Sequence, residues 1–249
     1  MKKILVNLLT VFGLIFWTAG IAYGQARVEI DRVKVASAEK EKSLVENLRQ
    51  YGLDKSDLHI LIIAYKAEME LELYAKKCSD ETYVLIATYT ICKSSGTLGP
   101  KRQQGDEQVP EGFYHINRFN PKSQFYLSLG INYPNASDKI LTHNPDDPGD
   151  NILIHGACVT IGCLPMTDDK IKEIYLYALW ARNNKQTHIP VYIFPFRMTE
   201  TKFHAYSLVY AGKPELLRFW KNLRTGYNMF ISEKRALDVS VNKRGEYVF

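Results

Sequence analysis

Four cysteines in 249 residues are too few, and the chain too long, for a scaffold held together by disulfides alone. The set His143, His155, Cys158 and Cys163 matches no common zinc spacing, so no metal site is expected. A phosphatase-like cysteine loop needs an arginine soon after the cysteine. Asp169 stands there instead and would repel phosphate. No single charge sign dominates. The formal net charge is +5, with basic residues scattered among acids, which argues against a nucleic-acid partner. No internal repeat or low-complexity segment is visible. After the first two dozen residues no stretch is long and apolar enough to span a bilayer.

What is there suits a folded globular protein, with 46% hydrophobic and 24% charged residues. The beginning reads as an export signal. Met1-Lys2-Lys3 supplies a positive start, residues 4–21 are mostly apolar, and Ala22 and Gly24 give the small-residue cleavage spacing. The expected location is therefore periplasmic or secreted, with no stable membrane span after cleavage. An uncleaved anchor is the alternative. No cysteine near Gly24 invites lipid attachment.

The segments that follow divide into a helical lead over 25–57, a catalytic-type domain over 58–198 and an extension over 199–249. Leu44, Val45 and Leu48 fall at helical spacing. In "AEMELELYAK", Met69, Leu71 and Leu73 alternate with Glu68, Glu70 and Glu72, the pattern of a half-buried strand. "KKCSDE" reads as a turn and "TYVLIATYTIC" as the strand that completes a hairpin. Residues 93–112 form a long loop rich in Gly, Pro, Ser and charge, of the kind that is usually functional. Strands follow in "FYHINRF", "SQFYLSLGI", "ILIHG" and "IPVYIFPF", with "NYPNASD" as a turn. Ile171, Ile174, Tyr175, Ala178 and Leu179 mark one face of a helix that starts at residues 167–169, and Tyr177 and Trp180 belong to its packing. A further helix surrounds "PELLRFWKNL". The expected fold is mainly β (α+β), largely antiparallel, with helical attachments at both ends.

The chemistry concentrates in "ILIHGACVTIGC". A thiol with its ordinary pKa of about 8.5 is mostly protonated near neutral pH and needs a neighbouring base. His155 ends an apolar strand, which would fix its ring. Gly156 allows a sharp exit, and its carbonyl is placed to hold one imidazole nitrogen. Backbone N–H groups of Gly162 and Cys163 are candidates for an oxyanion site. Residue types alone leave open a reactive pair or two buried core residues. His143, in a Pro- and Asp-rich loop, is the second candidate base. Cys78 and Cys92 sit at opposite ends of a hairpin strand and are expected apart, whereas Cys158 and Cys163 flank a loop short enough to bridge.

Ile154-His155-Gly156 followed by Thr160-Ile161-Gly162-Cys163 resembles the motif of the YkuD-type L,D-transpeptidases, cysteine enzymes of bacterial peptidoglycan. Pro110-Glu111-Gly112-Phe113 resembles the family's Pro-x-Gly-aromatic element. Within the family the chain resembles the YafK-like branch, through "GTLGPK", "PEGFY", "NYPN", the compressed "IHG…IGC…MTD" site and "IPV…IFPFRMT". The likeness runs from about Leu58 to Thr199. Ile161 and Pro165 depart from the wider family, which has a basic residue or His and an Arg at those places.

The resemblance implies an L,D-transpeptidase-like mixed sheet or sandwich with one helix after the cysteine. It implies Cys163 as nucleophile, His155 as proton donor and acceptor, and Gly156 as its orienter, with no cofactor. The partner it implies is a peptidoglycan stem peptide, or a protein linked to one. Lys101, Arg102, Tyr133, Asn135 and Thr160 are candidates to line the substrate groove, the first four as exposed loop residues. Three readings follow: a transpeptidase, a hydrolase of the same fold that releases groups attached to diaminopimelate, or an envelope module silenced by a Cys158–Cys163 disulfide.

Overall fold

The computed structural model describes residues 31–249. The expected leader of residues 1–24 lies outside them. Among the described residues no helix is long and apolar enough to cross a membrane. Helix α1, Arg32–Gln50, starts at Asp31, whose carboxylate accepts from the N–H groups of Val33 and Lys34. It buries Ala36, Leu44 and Leu48, which recur on one helical face.

The centre is one mixed eight-stranded sheet. Its strands are β1 (His59–Tyr65), β2 (Glu70–Lys76), β3 (Val84–Thr90), β4 (Gly112–Ser123), β5 (Tyr126–Ile131), β6 (Leu153–His155), β7 (Leu164–Pro165) and β8 (Ile189–Phe194). They lie in the order β3-β2-β1-β8-β4-β5-β6-β7. β1 runs parallel to β8, and β6 runs parallel to β7. The other neighbours are antiparallel. Strand β1, "HILIIAY", gives no alternation because both its faces are covered. Ile60, Ile62 and Ala64 join an aliphatic core with α1 and α3 (Asp168–Asn183). Leu61, Ile63 and Tyr65 join an aromatic core on the opposite face.

That second face is closed by the extension. Helix α4 spans Glu200–Val209 and α5 spans Pro214–Glu233. Pro214 opens α5, where its missing N–H costs nothing, and Lys234 ends it in the left-handed conformation. Trp220, Leu223, Tyr227 and Phe230 are buried on one stripe of α5. Phe113 meets Tyr192, Phe194, Tyr247 and Phe249 edge-on. Gly226 is required at this junction, since a Cβ there would lie 2.4 Å from the Phe249 ring. A terminal hairpin, β9 (Ser240–Val241) with β10 (Tyr247–Val248), completes the layer.

The acidic side of β2 does not face water. Glu72 is 4% exposed and accepts from Tyr74 (2.8 Å) and from Arg197 (2.7 Å). Glu68 accepts from Lys202 at 2.6 Å. The alternation marks a strand, but not the half-buried one expected: both faces of β2 are covered, and its acidic face anchors the extension. Ion pairs that trade hydration for attraction in this way add little net stability. Each large side chain buried by α5 is worth about 1.5–3 kcal/mol, so packing holds the layer and the ion pairs fix its register.

"NYPNASD" holds more than a turn. Asn135 caps a short helix α2, Ala136–Leu141: its side chain accepts the Asp138 N–H, and Asp138 accepts the Asn135 N–H. That reciprocal cap starts a helix whose few apolar residues gave no periodic signal.

Candidate active site

His155 ends β6, a strand paired on both sides. Ser128 of β5 lies opposite it, as does Pro165 of β7. The imidazole is 1% exposed and packs at a tilt against Phe125, with centroids 4.5 Å apart. Nδ1 lies 2.5 Å from the Gly156 carbonyl oxygen. A carbonyl only accepts, so Nδ1 carries the proton and Nε2 keeps a lone pair. Burial pushes the imidazole pKa down, opposed more weakly by the Gly156 carbonyl. The ring is a neutral base at neutral pH. Gly156 has no room for a side chain: a Cβ would lie 2.6 Å from Asp168 Oδ1 and 2.8 Å from the Phe125 carbonyl oxygen. Asp168, at the start of α3, accepts the Ala157 N–H at 2.8 Å and so fixes the exit of the loop.

Cys163 stands just before the edge strand β7. Leu164 pairs with Ile154 and Pro165 with His155, so Cys163 stands one residue before the strand that runs beside His155. Among the described residues no hydrogen bond joins His155 to Cys163. The Cys163 thiol instead points to the Asn151 carbonyl at 3.7 Å. Burial pushes its pKa up, and the Leu153 amide and the charge of Lys101 pull it back less strongly. The resting site thus pairs a thiol with a neutral imidazole.

The two amides expected to face an oxyanion are engaged elsewhere. Thr160 Oγ1 accepts the N–H groups of Gly162 (3.1 Å) and Cys163 (2.8 Å), and its hydroxyl donates to the Cys163 carbonyl at 2.8 Å. Thr160 braces the loop, with Gly162 at a φ of +134° that favours glycine.

The cysteine pairing differs from expectation. Cys158 is bonded to Cys92, not to Cys163, with Cα atoms 5.7 Å apart. Cys163 and Cys78 are free. The bridge ties the His–Cys loop to the end of β3, and the Cys92 N–H donates to the Pro165 carbonyl beside it. Sequence spacing favoured the short loop. A partner 66 residues away became available only because the segment after β3 runs alongside β7, where the Cys92 N–H reaches Pro165.

The other candidates take separate places. Lys101 is 3% exposed, not a solvated loop residue, and its Nζ bonds Asp106 at 2.6 Å. Tyr133 is also buried, with its hydroxyl donating to the Pro148 carbonyl. Asn135 caps α2 and donates to the Phe113 carbonyl and Tyr247 hydroxyl. Arg102 pairs with Asp138 and covers the Phe219 ring. His143 lines a cavity with Arg102 and is absent from the contacts of Cys163. Sequence reasoning missed the cleft around Cys163, which is lined by Lys66, Met69, Lys93, Ser94 and Val109 among others. Lys93 is exposed there, without a charged partner among the described residues. Lys66 is buried and donates to the Gly99 and Val109 carbonyls and to Glu111, which also accepts from Trp220 of α5. No local pattern announces these residues, since the sheet brings them in from separate segments. Among the described residues no cluster of ligating side chains suits a metal ion.

Fold and motif together define a domain of the L,D-transpeptidase class. The chain belongs to the YkuD family: the model of the L,D-transpeptidase catalytic domain matches residues 61–193. It is 40% identical to "Putative L,D-transpeptidase YafK" of Escherichia coli (strain K12) over 193 residues, covering 76% of this chain and 73% of that protein. The protein of the same name from Escherichia coli O157:H7 matches equally. Among solved structures, the chain is similar to the helical cell shape determining protein Pgp2 from Campylobacter jejuni. That match is 20% identical, with a TM-score of 0.43, over 56% of this chain and 49% of that one. Bd1075 of Bdellovibrio bacteriovorus matches at 23% identity and a TM-score of 0.40, over 57% and 49%. The chain spans about half the length of those two proteins.

Proposed function

We propose that the protein is an exported cysteine acyl-transfer enzyme acting on peptidoglycan stem peptides, a murein L,D-transpeptidase. The observation that carries this reading is the state of His155: neutral, its Nδ1 fixed by Gly156, its Nε2 free, on the strand beside Cys163. Family membership supplies the substrate class. Rotation of the thiol brings it to Nε2. Sγ gives its proton to Nε2 and attacks the carbonyl carbon of a diaminopimelate residue. The tetrahedral oxyanion collapses, the C–N bond breaks, and Nε2 returns the proton to the leaving amine. An acceptor amine then attacks the thioester carbonyl, its proton passes through Nε2, and the C–S bond breaks to restore the thiol. The Gly162 and Cys163 amides serve the oxyanion once Thr160 releases them. Such donors are worth about 2.7–4 kcal/mol each. Lys93 in the same cleft offers a cation for a substrate carboxylate, at a site where the chain lacks the wider family's Arg.

With Cys158 held by Cys92, the silenced-module reading loses its bridge and Cys163 stays available. Incubation of the purified protein with muropeptides and with a lipoprotein–peptide conjugate tests the function. New cross-links that disappear in Cys163→Ala are expected. Release of the conjugate alone would replace transfer to an amine by transfer to water. Neither product, together with no carbapenem adduct on Cys163 by mass spectrometry, would overturn the reading.

A further inference from the structure

One sizeable cavity among the described residues lies apart from Cys163. It measures about 580 Å³, within the range of about 300–1,000 Å³ usual for small-molecule sites. It lies where the loop after β3, the end of α2, the first turns of α5 and the β9–β10 turn meet. Phe219 lies in its apolar lining, under the Arg102 guanidinium 4.9 Å from the ring centroid. Four basic side chains line it, Arg102, Lys213, Arg218 and Arg244, against two acidic ones, Glu215 and Glu246. Arg218 pairs with Glu215 and Arg244 with Glu246, both in exposed bridges that are cheap to exchange for a ligand. Lys213 has the Tyr210 ring beside it and, among the described residues, no salt-bridge partner. Mixed charge over an apolar floor suits a peptide with free carboxylates and an amine better than a polyanion.

One short strap runs between the cavity and the surroundings of the thiol. Pro100 and Arg102 line the cavity. Lys101 between them lays its side chain against Gly149, two residues from Asn151, whose carbonyl the Cys163 thiol faces at 3.7 Å, and its charge acts on Cys163. The walls made by α5 and the terminal hairpin lie beyond residues 61–193 and so beyond the family's catalytic domain.

We propose that this cavity is a second substrate subsite, which takes a carboxylate-bearing peptide beside the acyl group on Cys163. The choice of a peptide rests on the functional reading above. The site itself rests on the cavity and its cations. Carboxylates of the peptide exchange with Glu215 and Glu246 for Arg218 and Arg244, and Lys213 takes another.

Calorimetric titration of full-length Cys163→Ala tests this without depending on turnover. The probe is a synthetic diaminopimelate tetrapeptide, compared with the same peptide with its carboxylates amidated. The tetrapeptide binds, and amidation weakens binding at least tenfold. Adding Lys213→Ala, Arg218→Ala and Arg244→Ala weakens the free peptide at least tenfold and leaves the amidated one unchanged. Arg218→Lys with Arg244→Lys restores most of the affinity. If the triple variant melts early, Arg244→Glu alone, on an exposed turn, reads the same loss. Undiminished binding in the variants, equal binding of the amidated peptide, or no binding at all overturns the subsite. Cavity binding in a chain that turns nothing over would sink the acyl-transfer reading and leave the subsite standing.

Discussion

The two halves of the site are built differently. His155 sits in a strand flanked by β5 and β7, with its ring tilted against Phe125 and one nitrogen bonded to Gly156. Cys163 sits before a two-residue edge strand, at the end of a loop held by Thr160 and by the Cys92–Cys158 bridge. The imidazole is held with Nδ1 bonded to Gly156, whereas the thiol faces the Asn151 carbonyl and the Gly162 and Cys163 amides are bonded to Thr160. On the proposed function, one half is preorganised and the other is left to move when substrate binds.

The strongest way to break this contrast is to remove each half in turn. Cys163→Ala lowers turnover of a stem-peptide substrate by at least about 10³-fold, because no other group accepts the acyl chain. His155→Ala lowers it about 10²–10⁴-fold, with acylation by a carbapenem slowed in the same proportion. A smaller loss in His155→Ala than in a His143→Ala control would move the base to the cavity side. Next comes the anchor of the cysteine half. Cys92→Ser with Cys158→Ser opens a 66-residue separation, and chain-entropy bookkeeping puts the loss near 4 kcal/mol. Denaturant melts measure it. An unchanged midpoint would show that Thr160 alone holds the loop. The histidine half is tested by Gly156→Ala, whose Cβ meets Asp168 and the Phe125 carbonyl. Overpacking costs about 1–3 kcal/mol and tilts the carbonyl that orients the ring, so both the melting temperature and turnover fall. Turnover kept at the parental rate would remove Gly156 from the orienting role.

The same contrast explains what could be read from the sequence. The α3 helix was legible because its apolar residues repeat at helical spacing and Thr167 caps it. The alternation of β2 and the apolar run ending at His155 were legible for the same reason, that one local pattern dictates one local structure. Strand β1 was not, because burial on both faces erases alternation. The parallel pairing of β6 with β7 and of β1 with β8 is non-local, and with it the diagonal placement of His155 and Cys163. The disulfide partner of Cys158, the burial of Lys101 and Tyr133, and the occupation of the oxyanion amides by Thr160 all depend on which segments meet. Ser128 adds a further case: it lies opposite His155, its hydroxyl buried without a partner among the described residues.

The finest distinction is between a thiol and an ion pair at rest, and pH separates them. Burial raises the Cys163 pKa above its ordinary value of 9.0 and lowers that of His155 below 6.5. Alkylation of the resting protein by iodoacetamide follows the thiolate. Its rate therefore climbs steadily towards and past pH 9, with no shoulder near pH 6, and changes less than about twofold in His155→Ala. A thiolate–imidazolium pair would instead give a plateau from about pH 6 that vanishes with the histidine. Turnover behaves differently, since it needs the neutral ring: it persists as pH falls below 6.5 and declines only near the lowered imidazole pKa. Stability carries the same signs. The share tied to the neutral imidazole is complete above pH 6.5 and is lost as pH falls through the folded value. The share tied to the protonated thiol is complete below 9.0 and is lost as pH rises through the folded value. Thermal melts across both windows, with Cys163→Ala removing only the alkaline limb, would assign each limb to its half of the site.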